Sequence, residues 1–219
     1  MVSKVRPQQD SELMKYKKEF LRIARRAVEM RLQSSTGGNI SMRCSSQFLV
    51  KGRGSSFYDL KESEISVVDI DGHVLQGAQE PSKEIHFHLG VYRNREDVCG
   101  VVHYHAPFST AYAAKGVSIP LLTVHAKRIL KKIPIIPEAA EGSQELADHV
   151  ISAFRDREVR AILLAGHGLV AVGNTLSEAQ NIAELVEESA KVSLLVRLFD
   201  RKVPRKTGVV GWVKAHNIK

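Results

Sequence analysis

Two histidines one residue apart, His103-Tyr104-His105, close an apolar run, Val98-Cys99-Gly100-Val101-Val102, that reads as a β-strand. Side chains alternate along a strand, so residues i and i+2 leave the same face and two imidazoles at that spacing can chelate one ion. His86-Phe87-His88 has the same spacing but lies in a helical segment, where i and i+2 point about 200° apart, and that pair does not easily share an ion. A His-x-His strand serves packing as readily as metal binding, so a third ligand has to decide between them. His167 is the candidate: it follows another apolar strand and stands between Gly166 and Gly168, which let the backbone turn sharply and the ring reach inward from a strand end. Three imidazoles with an open position describe a catalytic zinc site rather than a closed structural one.

A metal that polarises a carbonyl works with a base beside it. Glu84, in Pro81-Ser82-Lys83-Glu84, stands in the first turn of a helix entered from a proline. It reads either as that base or as a helix-start carboxylate stabilised by the macrodipole. Thr36-Gly37-Gly38-Asn39 is a glycine-rich turn whose backbone N–H groups and short polar side chains can converge on an anion, although a plain turn before a strand has the same composition.

The elements that must hold these groups follow from hydrophobic period. Asp10 or Ser11 caps a helix whose Leu13, Phe20, Ile23, Ala24, Ala27 and Val28 recur at helical spacing. Strands are expected near 40–43, 47–51 and 65–70, and Asp71-Gly72 signals a tight hairpin into 73–76. A helix over 82–94 leads to the strand over 98–105; a short helix follows Pro107, and another covers about 143–154. The strand over 160–165 ends at Gly166-His167-Gly168, and a long amphipathic helix over 176–199 closes the chain. The pattern predicts an α/β fold, a three-layer α/β/α sandwich with a mixed, largely antiparallel central sheet. One domain is expected, with a core over about 12–200 and a short tail over 201–219.

Four segments in this order resemble the class II aldolase and adducin head-domain family, and within it the fuculose-phosphate aldolases: 35–41 (Ser-Thr-Gly-Gly-Asn-Ile-Ser), 81–84 (Pro-Ser-Lys-Glu), 101–106 (Val-Val-His-Tyr-His-Ala) and 165–169 (Ala-Gly-His-Gly-Leu). The resemblance extends over about 12–200. It implies a zinc ion, or manganese or cobalt, on His103, His105 and His167, with Glu84 as acid/base. It also implies phosphate contacts from Thr36, Gly37, Gly38 and Asn39, from Arg53 and Gly54 in the segment Gly52-Arg53-Gly54-Ser55, and from Ser82 and Lys83. The reaction it implies is reversible cleavage of a phosphorylated keto sugar to dihydroxyacetone phosphate and an aldehyde, through a metal-stabilised enediolate. The assembly it implies is a homotetramer with active sites at subunit boundaries.

Several positions depart from the family pattern. Arg53 stands where a small hydroxyl residue is usual, and Lys83 where Ser is common; both add cations and raise a sugar-acid phosphate decarboxylase as the alternative. The stretch after the His-x-His strand, Leu122-Thr123-Val124-His125-Ala126-Lys127, lacks the tyrosine that serves as acid in similar aldolases, leaving His125 or Lys127 as substitutes. The tail over 206–219 has Trp212 but no Tyr, which speaks against an epimerase. A dehydratase, or an adducin-like binding domain that has lost catalysis, completes the set of alternatives. His73, His149 and His216 have no sequence partners at ligand spacing and read as surface or structural.

Composition sets the outer bounds. At 219 residues, with 43% hydrophobic and 26% charged, the chain can bury a core unaided, which excludes disordered and fibrous classes. Cys44 and Cys99 are too few for a disulfide framework or a thiolate zinc finger, so free thiols in a reducing compartment are expected. With a polar N-terminus and no apolar run near the roughly 20 residues of a membrane helix, a cytoplasmic protein is the expectation. The excess of Lys and Arg over Asp and Glu, 32 − 24 = 8, is spread along the chain, and aromatics are only 6%; a phosphorylated small molecule is the expected partner, not nucleic acid or membrane.

Overall fold

A computed structural model of the chain describes residues 7–77 and 80–202; the segment from 203 onward, with Trp212 and His216, lies outside the described residues. The strands are Asn39–Cys44 (β1), Gln47–Lys51 (β2), Ile65–Val68 (β3), Val74–Gln76 (β4), Gly100–Tyr104 (β5), Ile135–Ile136 (β6), Ala161–Leu164 (β7) and Gly168–Gly173 (β8). They form one sheet in the order β4-β3-β2-β1-β5-β8-β7-β6. Only β6 and β7 run parallel; the other neighbours are antiparallel, as the sequence predicts.

Helices cover both faces: Pro7–Glu29 (α1), Ile85–Asn94 (α2), Pro107–Ala114 (α3), Val124–Leu130 (α4), Gln144–Phe154 (α5) and Leu176–Lys202 (α6). Alternation along the strands builds two cores. Ile40, Met42, Val102, Tyr104, Leu169 and Ala171 pack with Phe20 and Ile23 of α1, Tyr112 of α3 and Ile182 and Val186 of α6. Val101, Val170 and Val172 face the other way, onto Phe87 and Val91 of α2 and Leu146 and Val150 of α5. At about 25 cal/mol per Å² of apolar surface removed from water, these two layers supply most of the drive to fold. His103 shares the parity of Val101 and therefore faces the α2/α5 layer.

Four features differ from the sequence reading. The first helix begins at Pro7, ahead of Asp10 and Ser11, because proline suits a first helical turn whose N–H groups have no partner. The helix expected from Ser82 begins at Ile85; Ile85 N–H donates to Ser82 O at 3.1 Å in a preceding turn, and Glu84 stands at the N-cap position. Strand β8 has no counterpart in the sequence reading: all six of its residues are buried, and a strand covered on both faces carries no polar alternation to signal it. The short elements α4 and β6 give no periodic signal of useful length. Among the described residues, no helix is long and apolar enough to cross a membrane.

Candidate metal centre and active site

The three histidines converge. His103 leaves the end of β5, His105 lies just beyond it, and His167 stands in the turn between β7 and β8. β8 pairs with β5 in the register His103↔Val170 and Tyr104↔Leu169, which carries the β7–β8 turn to the His103 end. Gly166 takes φ 69°, a left-handed conformation that permits the tight turn, and His167 N–H donates to Leu164 O at 3.0 Å. A Cβ at Gly168 would stand 2.5 Å from Tyr104 O and 3.0 Å from His105 Cδ2, so the close approach of turn and strand requires that glycine.

The facing atoms are all Nε2: His103 to His105 at 3.1 Å and His103 to His167 at 3.3 Å. Imidazole nitrogens about 2.0–2.1 Å from one tetrahedral ion would lie roughly 3.3–3.4 Å apart, so the set fits a single ion. The protonation state fits as well. His103 Nδ1–H donates to Leu169 O at 2.9 Å, which leaves its Nε2 as a lone pair. Burial first, and the neighbouring His105 second, push the His103 pKa down to about 3; burial and His103 push His167 down to about 4; burial lowers His105 too. At neutral pH all three rings are uncharged, the form in which imidazole can bind a metal.

Glu84 stands against this centre. The strand-like pairing Gly52↔Pro81, with Ser82 N–H on Lys51 O at 3.1 Å and Arg53 N–H on Glu80 O at 2.7 Å, ties the segment before α2 to the end of β2. Glu84 caps nothing; its side chain turns inward, 4% exposed, with Oε2 3.4 Å from His103 Nε2. Glu84 thus stands at the helix start without making a cap hydrogen bond there. Oε1 is buried and has no hydrogen-bond partner, an orphaned carboxylate oxygen beside three nitrogen lone pairs.

A buried relay orients the carboxylate. Asn39 Nδ2 donates to Glu84 Oε2 at 2.7 Å, and Asn39 Oδ1 meets His88 Nε2. An amide oxygen only accepts, so His88 carries its proton on Nε2 and its Nδ1 accepts from Ser41 Oγ, 2.7 Å away. Ser41 in turn accepts from Tyr92 OH at 2.8 Å. His88 is fully buried and stacked on Phe87, and burial pushes its pKa down to about 3, which keeps it neutral in this role. Sequence reasoning correctly kept His88 away from any ion shared with exposed His86 but missed its role as a support, for which spacing gave no signal.

A cleft of about 290 Å³ opens over the centre and brings together nearly every expected residue: Thr36, Gly37, Gly38, Asn39, Arg53, Gly54, Ser82, Lys83, Glu84, His105 and His167. Gly38 takes φ 62°. A Cβ at Gly37 would lie 3.0 Å from His105 Nδ1, so the turn sits directly on the edge of that ring. The Asn39 side chain serves Glu84 and His88 rather than the open cleft. Arg53 is well exposed at the lip and pairs with exposed Glu80 at 3.4 Å.

Two residues were missed. Lys51 is 1% exposed, donates to Thr36 O at 3.3 Å from beneath the turn and lies over the Phe57 ring; burial lowers its pKa to about 8. In sequence it is an ordinary strand-end lysine. Glu141, from the loop before α5, lines the cleft, pairs with Lys83 and reaches within 3.5 Å of His167 Nε2. The hydrogen bond from Lys83 holds its carboxyl below the usual range.

The remaining candidates lie elsewhere. His125 and Lys127 are on α4 and do not line the cleft; His125 is exposed and sits 3.4 Å from Arg128. His73 does have partners, contrary to expectation: Nδ1 meets Asp69 Oδ2 at 2.9 Å and Asp71 is near, in an exposed hairpin. His149 is partly buried on α5, as a structural residue would be.

This layered sheet carries three inward imidazoles at the β5 and β7 ends with a carboxylate beside them, a set that could hold one metal ion. Comparison with known proteins places the chain in a family: residues 18–194 match the Class II Aldolase and Adducin N-terminal domain, and the protein belongs to it. It is 35% identical to the L-fuculose phosphate aldolase of Methanococcus vannielii, over 84% of this chain and 98% of that one. It is 32% identical to the 5-deoxy-D-ribulose 1-phosphate aldolase of Bacillus thuringiensis serovar kurstaki, over 82% and 84%. The solved L-fuculose-1-phosphate aldolase of Thermus thermophilus superposes with a TM-score of 0.75 at 30% identity, covering 84% of this chain and 95% of that one.

Proposed function

We propose that the protein is a metal-dependent lyase that cleaves a ketose 1-phosphate reversibly to dihydroxyacetone phosphate and an aldehyde. The observation that carries this reading is the buried Glu84 Oε1, without a hydrogen-bond partner among the described residues, beside three converging Nε2 atoms in a cleft walled by a glycine-rich turn. A divalent ion on His103, His105 and His167 supplies Lewis-acid polarisation of a substrate carbonyl. Zinc is the proposed ion, since three imidazoles and an open position are its common catalytic set.

The chain's own residues do the rest. The turn Thr36–Asn39, with Gly54 and Ser82, presents short side chains and backbone to the phosphate, while Lys51 holds the turn from below. Glu84 moves the carbon-bound proton: in the synthetic direction Oε1 removes it from the carbon beside the dihydroxyacetone phosphate carbonyl, and in cleavage it returns it, while the proton on the oxygen of the aldehyde half is exchanged with water in the open cleft. Asn39 and His88 keep the carboxylate aimed during both. The reading carries with it a one-domain enzyme, a homotetramer and a cytoplasmic setting; the family resemblance supports the assembly, and two free cysteines agree with a reducing compartment.

Release of dihydroxyacetone phosphate from L-fuculose 1-phosphate and from 5-deoxyribulose 1-phosphate, followed by coupled reduction with NADH, tests the reading. Turnover of at least one is expected; no release from either, with metal supplied, overturns it. The extra cations favoured a sugar-acid decarboxylase in the sequence, yet Lys83 is held by Glu141, which weakens that alternative.

Arg53 remains a cleft residue on a backbone freed by two glycines, and its exposed pair with Glu80 is worth under about 1 kcal/mol, little enough for a phosphate to displace. Arg53→Ser is expected to raise KM for every phosphorylated substrate by about tenfold with kcat nearly unchanged, the loss of one charge-assisted contact. Steady-state kinetics on ketose phosphates and on a sugar-acid phosphate check this. A loss confined to the sugar acid would instead support decarboxylation.

A further inference from the structure

Glu141 has no place in the chemistry proposed above, yet it is the acidic group nearest the metal centre after Glu84. The three-imidazole centre lies between two different walls. On the His105 side stands the glycine-rich turn, close enough that a Cβ at Gly37 would touch the ring. On the His167 side stands Glu141, with Oε1 3.5 Å from Nε2. Its other oxygen is held by Lys83, and a Cβ at Gly142 would stand 3.1 Å from Lys83 O, so the loop is packed onto the segment that carries Glu84. This carboxylate is therefore fixed on the His167 side of the centre, beside Lys83.

We infer that Glu141 is the residue that selects the aldehyde half of the substrate, accepting hydrogen bonds from a neutral, hydroxyl-bearing aldehyde and excluding one that carries a carboxylate. The inference rests on the function proposed above: a ketose phosphate whose phosphate occupies the turn beside His105 and whose carbonyl lies at the centre must extend its remaining carbons toward His167 and Glu141. A carboxylate offers only acceptor oxygens, which match hydroxyl donors and repel an anion. By holding Lys83 it also engages a nearby cation that an acidic aldehyde could use.

The test runs the reaction in the synthetic direction, with dihydroxyacetone phosphate and three aldehydes: glyceraldehyde, propanal and glyoxylate. The wild-type enzyme is expected to prefer glyceraldehyde and to use glyoxylate poorly. Glu141→Gln, which removes the charge but keeps an acceptor, is expected to raise kcat/KM for glyoxylate by about tenfold or more. Glu141→Ala is expected to lose about tenfold on glyceraldehyde, expressed in KM, while propanal changes by less than about twofold. Glu141 is half-exposed on a loop, so both variants are expected to fold, and unchanged metal content verifies that the centre is intact. Identical aldehyde preferences in wild type and both variants would overturn the inference alone. A wild-type protein that condenses dihydroxyacetone phosphate with none of the three would overturn the proposed function, and the inference with it.

Discussion

His103→Ala is expected to leave the purified protein without bound metal and without lyase activity, where the wild-type protein carries about one divalent ion per chain. Removing even a supporting group behind a metal ligand commonly costs about 10- to 100-fold in affinity, and removing one of three ligands costs more. His103 is the central member: its Nε2 faces both other rings and its Nδ1–H is fixed on Leu169 O, so no neighbour can replace it. The ring is also fully buried, edge-on to Phe87, and its loss leaves a cavity beneath the middle of the sheet that destabilises the protein independently. His167→Ala separates the two effects, because His167 lies in a turn at the cleft wall and packs less tightly; it should lose metal while melting close to wild type. Elemental analysis and a thermal melt on both variants decide the matter. Full metal occupancy in either would remove that histidine from the ligand set.

Glu84→Gln is expected to keep metal and dihydroxyacetone phosphate binding and to lose at least about a thousandfold in exchange of the carbon-bound proton, within the span usual for a general base. The geometry makes the substitution unusually informative. Asn39 Nδ2 donates to Oε2, so a glutamine can keep its amide oxygen there and place its NH2 where the unpartnered Oε1 now lies. Shape and orientation survive, while the lone pair that takes the proton is gone. Exchange into deuterated water, followed by NMR, reads the step without requiring an aldehyde. Wild-type exchange in this variant would assign the proton transfer to another group.

Much of this site was legible because its logic is local. Strand alternation put His103 and His105 on one face, glycines marked the turn at His167, and a Pro-led helix start marked Glu84; each signal spans only a few residues. The residues that support them were not legible in the same way. Asn39, His88 and Ser41 come from β1 and α2 and meet only because the helix packs across that face of the sheet. His88 looked like half of an unusable pair, and Asn39 like a phosphate contact; burial gave both another task. Glu141 sits in a loop with no periodic or motif signal, far from His167 along the chain and beside it in space.

The sequence by itself therefore determined the fold class, the family and the candidate reacting groups, since these follow from hydrophobic period and from short motifs whose chemistry depends on spacing. The tertiary structure decided how those groups are used. It placed β8 between β5 and β7 although a strand buried on both faces gives no alternation to read. It turned Glu84 inward instead of leaving it to cap α2, and it paired Lys83 and Arg53 with carboxylates distant in sequence. Charge, protonation and orientation depend on what is packed within a few ångströms, and that neighbourhood comes into being only when the layers close.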